Sequence, residues 1–133
     1  MSDYDCLLYI EYGKHRSDKY KSIRELKYEI DSITGSNLSN YWEAATNSVN
    51  IEISFNETYD KEETELGNFV RYPFYVEVDA QEGANLTSAF NDVCALIQQL
   101  RARGASVIPD CDFEEEIEAK IGKDRVNWRL SKF

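Results

Sequence analysis

Residues 108–120, IPDCDFEEEIEAK, carry six carboxylates before their first base. Three chemistries are open to such a run. Asp110, Asp112 and Glu114 alternate like the opening ligands of a calcium loop, but the glycine on which that loop turns and the glutamate that closes it are missing. The same three residues could serve a carboxylate-dependent hydrolase, which needs a pocket that drives two carboxyl pKa values apart. The third reading is structural. Asp112 followed by Glu115 has the Asp-x-x-Glu form of a capping box, and Glu114, Glu115 and Glu116 fall in a first turn, where the helix dipole favours negative charge. Phe113, Ile117 and Ile121 recur at four-residue steps and would seat that helix on a core. The pattern favours the helix start over a reactive centre.

Other reactive side chains are few. His15 is the sole histidine and lies in a basic segment, which excludes a zinc site built on histidines. Cys6, Cys94 and Cys111 are odd in number and lack Cys-x-x-Cys spacing, so in a reducing compartment they are free thiols, two of them core residues. Cys6 and Cys94 sit in apolar patterns typical of inert thiols, which argues against a Cys–His nucleophile. No glycine-rich phosphate loop and no Gly-x-Ser-x-Gly occurs. The expectation is a protein without catalytic residues, metal or cofactor.

The elements that would position these groups follow from periodicity. DYDCLLYIEYG, residues 3–13, reads as a strand with Cys6, Leu8, Ile10 and Tyr12 on one face and Leu7, Tyr9 and Glu11 on the other. After a basic polar connection, Ile23, Leu26, Ile30 and Ile33 make a helical stripe ending at Gly35. SNLSNYWEAATNS reads as a loop or short turn. Strict alternation then sets Val49, Ile51, Ile53 and Phe55 against Asn50, Glu52, Ser54 and Asn56. NETYDKEETELGN is a charged loop. FVRYPFYVEVDA turns Phe74, Val76 and Val78 inward and Tyr75, Glu77 and Asp79 outward, starting or bulging at Pro73. Leu86, Phe90, Val93, Ile97 and Leu100 mark the clearest helix, capped by Asn85 or Thr87, and ASVIP is a short last strand.

That order predicts an α+β, ferredoxin-like β-α-β-β-α-β antiparallel sheet with two helices on one face, plus a short C-terminal helix. Right-handed crossovers would place the first and third strands inside the sheet. One domain is expected over residues 1–133, with the core in 1–109 and the C-terminal helix and tail in 110–133. A chain of 133 residues is long enough for a core without staples. With no basic leader and no long apolar run, the expected location is the cytoplasm. A formal charge of −10 disfavours nucleic acid and anionic membranes and suits a basic protein partner.

The open face of such a sheet would carry Leu7, Tyr9, Glu11, Asn50, Glu52, Tyr75, Glu77 and Asp79, rings among acids. The loop from Glu57 to Glu65 adds carboxylates with Lys61 its only base. The predicted partner-binding residues are Asp60, Glu62, Glu63, Glu65, Tyr75, Glu77 and Asp79.

Trp42 before an alternating strand, the Pro-aromatic strand Pro73 to Asp79, and the Cys-Asp-Phe-Glu segment at Cys111 to Glu114 together resemble a group of short, acidic, largely uncharacterised bacterial proteins. The resemblance spans about the C-terminal two thirds of the chain, and its motifs are structural. By size and charge the chain is also similar to immunity proteins, which bind and neutralise one toxin, often a basic nuclease. The resulting expectation is a non-enzymatic, immunity-type binding protein. The alternative is a dimerising or small-molecule-sensing regulatory domain, in which a homodimer forms through the open face; the hydrolase comes third.

Overall fold

In the computed structural model, which describes residues 5–12, 18–36, 42–60, 62 and 69–122, the alternating segments form one antiparallel sheet. Its strands are β1 (Asp5–Glu11), β2 (Glu43–Ala45), β3 (Val49–Phe55), β4 (Phe74–Ala80) and β5 (Ser106–Asp110), in the order β2-β3-β4-β1-β5. Helices α1 (Lys19–Thr34), α2 (Leu86–Ala102) and α3 (Glu114–Ile121) complete an α+β fold. The sheet has one strand more than predicted, so β-α-β-β-α-β is not the observed element order.

The additional strand is β2, within the segment read as a loop. Its three residues are too few to show alternation, and partners remote in sequence hold it. Trp42 O accepts the Ile53 N–H at 2.7 Å. Ser36 Oγ donates to Ala45 O at 3.0 Å and accepts from Ala45 N at 3.1 Å. β1 and β4 each have a neighbour on both sides, the inner positions that right-handed crossovers predict for the first and third strands. Pro73 stands just ahead of β4, and Pro109 falls in edge strand β5, positions where a missing N–H is tolerated.

Inward residues of the strands meet the helices in one core. Leu8, Ile10, Ile51, Ile53, Val76 and Val78 pack with Ile23, Leu26 and Ile30 of α1 and Val93, Ile97 and Leu100 of α2, all buried. Asp18 caps α1 by accepting the Lys21 N–H at 3.1 Å, so the helix begins within the segment predicted as a polar connection. Gly35 ends it with a φ of 71°, a left-handed conformation that costs glycine little. Asn85 caps α2 through Ser88 N at 3.1 Å.

The acidic stretch does start a helix, but not by the predicted cap. Phe113 occupies the N-cap of α3 and no side chain caps it, so the Asp112–Glu115 capping box is not formed. The physical reason is aromatic burial. The Phe113 ring packs edge-on against Phe90 of α2, with centroids 6.1 Å apart, and its carbonyl accepts the Ile117 N–H at 3.1 Å. That contact moves the helix start one residue on and leaves Asp112 exposed in the preceding turn. Ile117 is fully buried, so α3 lies beside α2 in the helical layer and leaves the opposite sheet face uncovered by it. None of the helices among the described residues is long and apolar enough to cross a membrane.

Candidate functional site

Side chains alternate across a strand, so the residues between the buried ones project from the face away from the helices. The register aligns them in rows. One row runs Glu43, Glu52, Glu77, Leu7, Asp110 across β2, β3, β4, β1 and β5. The next runs Ala45, Asn50, Asp79, Asp5. On the other side lies Ser54, Tyr75, Tyr9, Ile108.

Acid thus stands directly opposite acid at Glu43–Glu52, Glu52–Glu77 and Asp5–Asp79. Like charges so placed destabilise a sheet. Carboxylate oxygens of Asp5, Glu77 and Asp79 lie within 4.8 Å of one another. Burial, then the charges of Asp79, Glu52 and Asp5, raise the Glu77 carboxyl above its ordinary range. Asp79 is raised by burial and then by Asp5. The surface between Glu43, Asn50, Glu52, Glu77 and Asp79 forms an open groove of about 430 Å³.

Beside the acids is an aromatic platform. Phe69, on the return of the charged loop, stacks on Tyr9 with centroids 4.5 Å apart and planes 17° from parallel. Tyr75 tilts against Tyr9 at 6.4 Å. The Tyr9 hydroxyl is pushed up by burial and by Asp110. Arg71 approaches Glu11 at 3.9 Å at the margin of the platform. Buried Asn56 shapes the loop: its amide donates to Phe69 O at 3.0 Å and Tyr72 O at 2.8 Å.

Chemically, this arrangement can receive cations. Carboxylates offer charge, and ring faces accept ammonium or guanidinium groups. The trio Asp5, Glu77 and Asp79 has oxygen ligands of the kind a hard metal ion takes. Each residue offers one ligand atom, three in all, whereas such ions take six or more oxygens, waters among them.

Of the predicted partner-binding residues, Tyr75, Glu77 and Asp79 come together on this face. Asp60 and Glu62 are exposed in the loop after β3, where Asp60 Oδ1 accepts the Glu62 N–H at 2.9 Å. Glu63 and Glu65 lie outside the described residues. The candidate hydrolase residues spread over three elements: Asp110 ends β5, Asp112 is in the turn, Glu114 opens α3, and all are exposed. Asp5 and Glu43 were not selected from the sequence. Alternation along DYDCLLYIEYG would have put Asp5 on the Leu7 and Tyr9 face, whereas Glu43 had no such signal.

No protein-family model, curated protein or solved structure matches the chain.

Proposed function

We propose that this is a cytoplasmic, non-enzymatic binding protein of the immunity type, which neutralises a basic toxin domain by covering its cationic surface. The observation that carries this reading is the set of acid-on-acid pairs Glu43–Glu52, Glu52–Glu77 and Asp5–Asp79 on an exposed sheet face. Such pairs cost stability in the free protein, and a cationic partner would relieve that cost on docking. Tyr9, Tyr75 and Phe69 would supply contact area with little rotamer entropy lost. The same charges make the face a poor match for itself, which weighs against the dimerising alternative. We also propose that β1, β3, β4 and β5, with α1 and α2, are a ferredoxin-like core to which β2 adds an edge.

Affinity capture with the tagged full chain, read by mass spectrometry, tests the reading. The expected result is one stoichiometric basic protein, retained by the wild type and lost by Glu52→Lys/Glu77→Lys at physiological salt. Equal retention by both proteins contradicts it. A loop variant, Asp60→Lys/Glu62→Lys, divides the contact between loop and face.

A further inference from the structure

Cys6 and Cys111 are brought together from opposite ends of the chain. The β1–β5 register ends with Leu7 facing Asp110, the residues that directly follow Cys6 and directly precede Cys111. The Cys6 thiol donates to Cys111 Sγ with the sulfurs 2.8 Å apart. The two sulfurs are therefore already in contact, and a disulfide of about 2.0 Å asks them to close only the remaining gap.

The two thiols are not equivalent. Cys6 is buried in the core, and its pKa is raised by the Cys111 contact and by burial. Cys111 is only half-buried, in the turn that leads into α3. The hydrogen bond from Cys6 holds its thiolate down in pKa, and the Phe113 backbone N–H adds to this against opposing burial and the charges of Glu114 and Asp110. Cys94 is buried on α2 and provides an internal comparison.

We propose that Cys6 and Cys111 form a peroxide-reactive dithiol site, with Cys111 as the attacking thiolate and Cys6 as the resolving thiol. Cys111 sulfur attacks one oxygen of hydrogen peroxide; the O–O bond breaks, hydroxide leaves, and Cys111 becomes a sulfenic acid. Cys6 sulfur then attacks Cys111 sulfur, the S–O bond breaks, and the hydroxyl departs as water with the Cys6 proton. In sum, two thiols and one peroxide give one disulfide and two waters. A small dithiol reverses the change by exchange.

The test is peroxide treatment of the full chain, followed by alkylation under denaturing conditions and peptide mapping. The expected product is a monomer in which Cys6 and Cys111 are linked and Cys94 alone alkylates, with full alkylation restored by dithiothreitol. Cys6→Ser should leave Cys111 as a dimedone-reactive sulfenic acid, and Cys111→Ser should leave Cys6 reduced. Three alkylated cysteines after peroxide, a bond to Cys94, or a bond between two chains would each overturn the proposal. The wild-type map decides the matter even if a variant does not fold.

Discussion

Glu77 shows how charge repulsion at a single residue ties stability to pH. It faces Glu52 across β3 and β4, and its neighbours Asp79 and Asp5 carry the same charge. Its raised carboxyl pKa means that the folded state takes up a proton before the unfolded chain does. Stability from this group, and from Asp79, therefore increases as pH falls from above the raised folded values towards the ordinary carboxylate range, and is lost as pH rises. Glu77→Gln is expected to be more stable than the wild type at neutral pH by about 0.2–1 kcal/mol, with the difference vanishing near pH ~4. Urea melts at several pH values check this; a variant less stable at neutral pH would mean that Glu77 is held by a favourable contact. The inward or outward direction of Tyr75, Glu77 and Asp79 was legible from alternation alone. Which acid each one faces was not, because register depends on pairing between segments far apart in sequence.

Among the elements, β2 and α3 show where local pattern gives way to tertiary contact. The long helices and β1, β3 and β4 announce themselves by period, cap and glycine, since each buries a full stripe or face. β2 does not: the turn that follows it is tied to α2, where Asp92 accepts from the hydroxyls of Thr46 and Ser48. Thr46 Oγ1 in turn accepts the Ser48 and Val49 N–H groups, each at 3.1 Å. Asp92→Ala removes the acceptor beside buried Ser48 and is expected to cost about 1–3 kcal/mol. Hydrogen exchange should show faster exchange at Ala45 and Val49, with the interior of β1 little changed. Unaltered stability would show that the turn holds without α2. At α3 the local signal was present but outweighed: the Asp112–Glu115 pattern suits a capping box, yet burying Phe113 against Phe90 placed the cap one residue later.

At the level of the whole molecule, 25 acids against 15 Lys and Arg give a formal charge of −10, and composition alone could not say where the excess gathers. The sheet collects Asp5, Glu43, Glu52, Glu77 and Asp79 on one face, away from the helical layer. A field of this kind acts on encounter before it acts on contact, accelerating association with a cationic surface in a salt-dependent way. Stopped-flow association of the captured basic partner with the wild type and with Glu52→Lys/Glu77→Lys, measured across ionic strength, is the most direct test. The wild-type rate should fall by about tenfold or more from low to high salt, and the variant should be slow and nearly salt-independent. Equal association rates for the two proteins at low salt would contradict recognition through this face.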